Sequence, residues 1–467
     1  MQKTPLLSCI AFIIYVSHAV AQAPDSVAST GSAIERSPRV WLSADRSAWS
    51  GGEWADVSPF GHDAVAGSPS AAPSSGATIN FNPSLVFDGI DDYLKIPFSL
   101  DGLAELSILS VFQSADTTER GVWGAEGSAR KVLLTTRRAR GPDSLTDVYG
   151  KSENLVVLNS VVQNWDDAGV SSAAGSMALG SAGKALSYKP FKGSLAELIV
   201  FNHGLTFLER VQYETYLAIK YGTGLRGGNF VSSGEKVLWH VEKNAAYGRN
   251  IAGIGRDDFF RLYQKQSGSA YDSGLLVISA GSLARSNKEN TAVINNQDFI
   301  LWGDNGQPLS TKPGEGPDSL LSIVQRKWLL TATGTTAKKL ATELYVDVNK
   351  LPAEPMSYWL VIDRSGRGNF SADNLEYVLP DRVTNGKIVY KNVVWDTDGS
   401  GKDNFGFARA RKLFAVVRTL TLPSCTDATA GKVRIEVIAG EPSYNFRLTQ
   451  DAGKLGAREW KQKAEAI

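Results

Sequence analysis

Residues 85–96 read LVFDGIDDYLKI and carry the pattern from which the fold class follows. Apolar residues stand on both sides of the turn-forming segment Asp88, Gly89, Ile90, Asp91 and Asp92. Short apolar runs separated by Asp and Gly clusters are typical of antiparallel strands joined by tight turns. The stretch therefore predicts a strand, an acidic turn and a second strand.

The same pattern recurs in both directions along the chain. Strand-like runs lie at residues 84–87, 93–96, 106–112, 132–135, 155–161 and 195–201, and a second series extends from residue 237 to residue 418. Residues 208–221, LERVQYETYLAIKY, instead carry apolar residues at helical spacing. The predicted fold class is all-β, with two consecutive antiparallel β-sandwich (jelly-roll-like) domains and a short C-terminal β segment.

Composition changes along the chain suggest the domain boundaries. Residues 1–21 combine Lys3, an apolar run and an Ala19-Val20-Ala21 site, which predicts a secretory signal peptide, and residues 22–35 read as a flexible leader. We expect the first sandwich at residues 36–222, the second at 223–418, and a partial repeat with a charged tail at 419–467. A secreted or extracellular location is expected, retention at the outer cell surface stays open, and no transmembrane segment is expected after signal cleavage.

Composition also argues against several classes of function. The chain has 49 Lys plus Arg against 48 Asp plus Glu, so it lacks the basic field that a nucleic-acid partner requires. Signal removal would leave Cys425 as the single thiol, so no intramolecular disulfide is expected. No HExxH, CxxC or GxSxG motif occurs, and no Glu has an Asp two residues later. A non-catalytic protein is favoured, although an acid pair assembled from distant segments stays open.

Two acidic turns are candidate metal sites. Asp396, Asp398, Ser400 and Asp403 lie in DTDGSGKD, and Asp88, Asp91 and Asp92 lie in DGIDD. Ca²⁺ prefers hard oxygen ligands, which short acidic side chains on a Gly-bent loop can supply together. An EF-hand is excluded because Phe407 occupies the twelfth position, where a Glu is needed. Calcium is the expected cofactor, and hairpin turns whose carboxylates accept backbone amides are the alternative for both segments.

Tryptophan residues divide into core candidates and one surface candidate. Trp165, Asp166 and Asp167 lie in a polar run, where an exposed indole can stack on a sugar ring. They are the predicted ligand-binding residues. The core candidates stand beside apolar strand positions, and they are Trp41, Trp54, Trp239, Trp302, Trp328 and Trp359.

Several longer segments resemble known families. VWLSAD at 40–45, WADVS at 54–58, LVFDGIDDYLKI at 85–96 and AELIVFNHGLTFLERVQYETYLAIKYG at 196–222 together resemble the concanavalin A-like, laminin-G-type domain of bacterial surface proteins. Residues 237–410 resemble an uncharacterised β-domain of secreted proteins from gliding-type bacteria, and residues 425–448 resemble the start of a gliding-adhesin repeat.

The resemblance implies binding rather than chemistry. The expected partner is a polysaccharide or an extracellular or surface protein, bound with the help of calcium in an adhesive role. A glycoside hydrolase or lyase acting on polysaccharide through the concanavalin-like domain is the alternative, since one fold hosts many functions. A structural spacer of a larger surface adhesin is the third possibility.

Overall fold

The structure is a computed structural model that describes fourteen segments of the chain. They are residues 37–46, 49–126, 131–140, 145–147, 156–164, 175–181, 188–225, 228–272, 274–311, 321–351, 358–370, 375–410, 414–421 and 432–439.

Sixteen strands precede the helix in the described part of the chain. They are β1 (Val40–Ser43), β2 (Trp49–Ser50), β3 (Glu53–Trp54), β4 (Ala64–Ala66), β5 (Ser74–Ile79), β6 (Asn82–Asp88), β7 (Leu94–Ile96), β8 (Glu105–Gln113), β9 (Arg120–Glu126), β10 (Lys131–Thr135), β11 (Arg138–Arg140), β12 (Leu145–Asp147), β13 (Val156–Asn164), β14 (Ser176–Leu179), β15 (Lys189–Pro190) and β16 (Lys192–Phe201).

These strands form two sheets that face each other. The first sheet has the order β13-β8-β16-β6-β5, with β1 added against the second half of β16. The second has the order β12-β11-β10-β9-β14-β7-β4-β3-β2, with β15 beside β9. Apolar side chains of both sheets, including Trp54, Phe112 and Trp123, meet in one buried core. This is a β-sandwich, as the alternating runs predict.

A single α-helix, α1 (Phe207–Tyr221), follows in the described residues. Thr206 and Glu209 form a capping box at its start, and Gly222 ends it in the left-handed conformation with φ +69°. A Cβ on Gly222 would lie 2.2 Å from the carbonyl oxygen of Gly268, so both the backbone conformation and the close packing require glycine here.

The strands that follow the helix are β17 (Phe230–Val231), β18 (Val237–Trp239), β19 (Arg249–Asp257), β20 (Leu262–Gln264), β21 (Gln266–Gly268), β22 (Leu276–Ala280), β23 (Phe299–Asp304), β24 (Leu321–Thr333), β25 (Thr342–Asp347), β26 (Tyr358–Asp363), β27 (Leu375–Val378), β28 (Arg382–Thr384), β29 (Lys387–Val393), β30 (Lys402–Ala410), β31 (Phe414–Thr421) and β32 (Lys432–Ala439). Short 3₁₀ turns lie at Pro69–Ala71, Ala245–Tyr247, Ala337–Lys339 and Val348–Lys350.

Most of these strands build a second sandwich, and β17 and β18 pair in a separate two-stranded sheet. The sheets of the second sandwich have the orders β20-β19-β23-β24-β30-β26-β27 and β21-β22-β25-β29-β28, and their facing side chains share a core. Strands β31 and β32 pair with each other as a hairpin, in the region predicted as a short C-terminal β segment. The prediction of an all-β chain built from antiparallel sandwiches is confirmed.

The helix packs against both sandwiches. One buried cluster contains Leu109 of β8, Leu217 of α1 and Leu301 of β23. Residues Pro38–Ile467 form one compact unit, and the boundary between residues 222 and 223 stays a prediction. Within the described residues, no helix has the length and apolarity needed to cross a membrane.

The aromatic core predictions agree with the structure in all but one case. Trp54, Trp239, Trp302, Trp328 and Trp359 are buried. Trp41 is half-buried, and its indole N–H donates to Glu197 Oε1 at 2.6 Å. The apolar neighbours of Trp41 in the sequence do not indicate this polar partner, which lies 156 residues away.

Candidate functional site

The turn between β6 and β7 brings three aspartates together. One carboxylate oxygen from each of Asp88, Asp91 and Asp92 lies within 4.8 Å of the others. Asp88 Oδ1 accepts the amide of Ile90 at 2.7 Å, and Asp92 Oδ2 accepts the amide of Asp88 at 2.8 Å. These two hydrogen bonds hold the turn, and the Asp91 carboxylate takes part in neither of them.

Glycine is required inside this turn. Gly89 has φ +81°, and a Cβ there would lie 2.7 Å from the Cβ of Lys192. Arg120 Nη1 donates to the carbonyl oxygen of Gly89 at 3.1 Å, while its Nε pairs with Asp116 at 2.6 Å. The nearby guanidinium therefore fixes the turn backbone and is itself paired with another acid.

Negative charge accumulates at this turn. Burial raises the pKa of Asp92, the amide of Asp88 lowers it, and the charges of Asp88 and Asp91 raise it again, with a net upward shift. Asp88 and Asp91 are exposed, whereas Asp92 is buried. Three acidic groups so close together repel one another, and a divalent cation would relieve that repulsion.

Exposed apolar side chains flank the acidic turn. Ile90 is 76% exposed, Tyr93 39% and Val65 48%. Val65 lies in β4, which pairs directly with β7, and the Tyr93 ring lies across Gly67. Carboxylates, an aromatic ring and aliphatic groups thus share one outward-facing corner of the first sandwich.

The loop between β29 and β30 arranges its acids differently. Asp396 is buried at φ +51°, and its Oδ1 accepts the amide of Gly401 at 2.6 Å. Asp398 Oδ1 accepts the amide of Ser400 at 3.0 Å, and Ser400 Oγ donates to the carbonyl oxygen of Lys402 at 2.8 Å. This hydrogen-bonded turn is the alternative that the sequence left open.

The fourth residue of this loop is held by an arginine. Asp403 Oδ2 accepts the Asp396 amide at 2.6 Å and Arg364 Nη1 at 3.0 Å. Burial raises the pKa of Asp403 to about 6, while the amide and Arg364 oppose the shift. Within the described residues, the turn at Asp88–Asp92 alone places three ligand atoms of His, Cys, Asp or Glu within 4.8 Å. Asp396, Asp398 and Asp403 do not converge in this way.

The predicted ligand-binding residues follow β13 in the chain. Trp165, Asp166 and Asp167 lie outside the described residues, directly after β13, which ends at Asn164. Their assignment to a ligand-binding surface stays a prediction.

A buried polar network joins the first sandwich to α1, and sequence reasoning missed it. Lys220 Nζ lies 2.7 Å from Asp45 Oδ1, 2.8 Å from Glu197 Oε2, 2.9 Å from the Tyr216 hydroxyl and 3.1 Å from Ser43 Oγ. Asp45 and Ser43 come from the VWLSAD segment, Glu197 from AELIVF and Lys220 from YLAIKYG. The segments that carry the family resemblance therefore converge in space.

Glu197 is the centre of this network. Its Oε1 accepts the Trp41 indole N–H and the Tyr216 hydroxyl at 2.7 Å, and its Oε2 accepts Lys220 and the Tyr221 hydroxyl at 2.7 Å. With 0% exposure, this carboxylate cannot contact a polymeric substrate. No local spacing rule could have found these contacts, because they join residues far apart in sequence.

A second polar network joins the two sandwiches. Asn82 Nδ2 donates to the carbonyl oxygen of Lys220 at 2.8 Å and to Gln264 Oε1 at 3.1 Å. Asn80 donates to Ser267 Oγ at 2.9 Å and accepts the amide of Gly268 at 3.0 Å. These hydrogen bonds fix the β5–β6 hairpin to the second sandwich, in addition to the buried apolar cluster that α1 shares with both sandwiches.

Comparison with known proteins gives one family match. Residues 209–400 match the family described as Domain of unknown function (DUF8202), and the match begins inside α1. No curated protein matches the chain.

Solved structures are similar to the chain at low identity. A Trypanosoma rangeli sialidase in complex with sialic acid has 16% identity and a TM-score of 0.25, over 36% of this chain and 31% of that one. Domain 4 of AbnA, a GH43 extracellular arabinanase from Geobacillus stearothermophilus, in complex with arabinotriose, has 17% identity and a TM-score of 0.25, over 37% and 95%. The binding domain of Botulinum Neurotoxin DC in complex with SialylT has 9% identity and a TM-score of 0.30, over 80% and 99%. The chain spans about a third of the length of the sialidases it matches.

Proposed function

We propose that the protein is a secreted, non-catalytic recognition protein that binds polysaccharide through the Asp88–Asp92 turn with the help of Ca²⁺. The observation that carries the proposal is the convergence of three carboxylates, two of them exposed, in one turn of the first sandwich. Secretion rests on the signal-like residues 1–21.

The turn offers part of a calcium coordination sphere. Ca²⁺ takes six to eight oxygen ligands at roughly 2.3–2.6 Å, and three carboxylates supply only some of them. Asp88 and Asp91 are exposed, so the remaining positions would face solvent. Hydroxyl groups of a sugar can occupy such positions because they are neutral oxygen ligands.

The neighbouring side chains favour a sugar as the ligand. Tyr93 is 39% exposed and offers a ring face with a polar hydroxyl at its end. Amphipathic aromatic rings contact the apolar face of a sugar while the hydroxyl finds a hydrogen-bond partner. Ile90, at 76% exposure, adds apolar area at the tip of the turn.

Calcium binding at the Asp396–Asp403 loop, which the sequence also predicts, is the alternative to this proposal. Asp396, Asp398 and Asp403 already accept hydrogen bonds from backbone amides or Arg364. Buried Asp403 Oδ1, which has no hydrogen-bond partner in the described residues, is the atom that favours an ion there. Binding at this loop would require the loop to open.

The test is binding of the full-length chain to a panel of insoluble polysaccharides, in calcium and in EDTA. We expect binding to at least one polysaccharide that is lost in EDTA, in Asp91→Asn and in Tyr93→Ala. The matched control is Asp398→Asn, which alters an exposed aspartate in the other turn and should bind like the unaltered chain.

Other results would point elsewhere. Binding that is equal in EDTA and unaffected by Asp91→Asn would contradict the proposed site. Release of reducing sugar during the incubation would favour the hydrolase. Absence of binding to polysaccharides and to extracellular proteins would favour the spacer.

A further inference from the structure

We propose that the Lys220 and Asp45 side chains condense to an amide, with Glu197 carrying the proton, so that β1 and α1 become covalently joined. The inference is independent of the proposed glycan site. It starts from the distances of 2.7 Å from Lys220 Nζ to Asp45 Oδ1 and 2.8 Å from Lys220 Nζ to Glu197 Oε2.

The site holds the reacting groups in one orientation. Lys220 is 2% exposed and Glu197 0%, and the rings of Tyr216 and Tyr221 lie within 5.3 Å of the Lys220 nitrogen. Groups held in reacting geometry behave as if present at roughly 10⁵–10⁸ M, which offsets the preference of dilute amines and acids to stay apart in water. Burial of the free ion pair is itself costly, and condensation removes both charges.

Asp45 is the better acyl partner of the two acids. Each oxygen of Glu197 already accepts two hydrogen bonds, so neither is placed to leave as water. Within the described residues, Asp45 accepts hydrogen bonds at Oδ1 alone, from Lys220 and from Ser43 at 2.6 Å. The Asp45 side chain is also 28% exposed, so a water molecule formed there can leave.

The reaction balances without an external reagent. Before reaction the groups form an ion pair: burial lowers the pKa of Lys220, and the charges of Asp45 and Glu197 raise it by more. Transfer of one proton from Lys220 to the Asp45 carboxylate gives a neutral amine and a neutral acid, and the nitrogen lone pair then attacks Cγ of Asp45. Glu197 takes the second proton from nitrogen and returns it to the leaving hydroxyl. The Cγ–O bond breaks, the Nζ–Cγ bond remains, and one water is released.

The net charge of the site does not change in the condensation. The reaction removes one cation and one anion, and it leaves Arg46 facing Glu197 through the shared Tyr216 hydroxyl, which Arg46 Nη2 contacts at 2.9 Å. Arg46 also donates to the carbonyl oxygen of Phe260 in the second sandwich.

The cross-link would close a loop of residues 45–220, which contains strands β2 to β16 of the first sandwich. Only Ala44 separates Asp45 from the end of β1, and Lys220 stands at the end of α1. The two cysteines, Cys9 and Cys425, both lie outside residues 45–220, so no disulfide can provide this connection. An amide there would prevent β1 from separating from the helix under force or heat.

The test is tryptic mapping of the purified full-length chain by mass spectrometry. Without the bond, digestion yields VWLSADR, residues 40–46, and VQYETYLAIK, residues 211–220. With the bond, both peptides are missing, cleavage after Lys220 fails, and a branched species contains residues 40–46 and 211–226. Its mass is lower than the sum of its parts by one water.

Variants assign the three roles. Lys220→Arg and Asp45→Ala should abolish the branched species, and Glu197→Gln should slow or prevent its formation in chain that still contains Lys220 and Asp45. Recovery of both linear peptides from the unaltered chain would overturn the proposal, and this result does not depend on any variant folding. A branch from Lys220 to the peptide containing Glu197, residues 193–210, would overturn the assignment of Asp45.

Discussion

Two turns rich in Asp and Gly, one in each sandwich, use the same residue types in opposite ways. In the Asp88–Asp92 turn, the three carboxylates converge, and those of Asp88 and Asp91 are exposed. In the Asp396–Asp403 loop, Asp396 and Asp403 are buried and bind backbone amides and Arg364. We propose that the first arrangement binds a cation, whereas the acids of the second are engaged in hydrogen bonds with their own loop and with Arg364.

The difference originates outside the turns. Arg364 stands directly after β26, next to β30, and donates to Asp403 from there. Beside the other turn, Arg120 is paired with Asp116 and donates to a backbone oxygen instead. The fate of an acidic turn therefore depends on which donors the neighbouring strands provide.

The largest expected effect is at Asp403. Asp403→Ala should destabilise the protein by about 3 kcal/mol, because it leaves Arg364 without its buried partner and the Asp396 amide without an acceptor. Urea unfolding measures the change. Asp403→Asn retains an acceptor and should lose less stability. A loss of stability under about 0.5 kcal/mol in Asp403→Ala would show that the loop does not depend on the pair of Asp403 and Arg364.

A smaller loss is expected at Asp396. Asp396→Ala should cost about 1–2 kcal/mol, because the amide of Gly401 loses its acceptor and alanine tolerates φ +51° less well than aspartate. The exposed Asp398 in the same loop is the matched control, and Asp398→Ala should stay within about 0.5 kcal/mol. Equal losses of stability in Asp396→Ala and Asp398→Ala would mean that the burial of Asp396 does not increase its contribution to stability.

A third turn, which contains Asp272, should make the stability of the protein depend on pH. Burial raises the pKa of Asp272 to about 6, although its carboxylate accepts the amides of Gly274 and Leu275. The folded state then holds a proton that the unfolded state, with a pKa of about 3.9, has released, so stability falls as pH rises from about 4 to about 6. Asp272→Asn should show a shallower decrease of Tm over this range. Parallel curves for the two proteins would contradict the raised pKa of Asp272.

The smallest effect is expected at Asp91 without metal. Asp91→Asn should change stability in EDTA by at most about 0.5 kcal/mol, in the stabilising direction, because its charge repels those of Asp88 and Asp92. Thermal unfolding in EDTA measures this. A loss of stability in EDTA would mean that Asp91 stabilises its turn, as Asp396 and Asp403 stabilise theirs.

The fold could largely be predicted from the sequence. The runs at residues 84–87, 106–112 and 195–201 lie within β6, β8 and β16, and the helical spacing of residues 208–221 lies within α1. These elements alternate or repeat locally, so their pattern is visible in a short window.

The polar sites could not be predicted in the same way. Glu197 and Lys220 meet Trp41 and Asp45 only because β1 pairs with β16 and α1 packs over them. The sequence also could not distinguish the two acidic turns, since Arg364 lies 39 residues from Asp403. Long-range pairing decides both outcomes.

The most direct test of the account is thermal unfolding of the full-length chain in calcium and in EDTA, beside Asp91→Asn and Asp398→Asn. An ion that binds only the folded state raises Tm. We predict a calcium-dependent increase in the unaltered chain and in Asp398→Asn, and none in Asp91→Asn. An increase that persists in Asp91→Asn but disappears in Asp398→Asn would contradict the account and place the ion in the other loop.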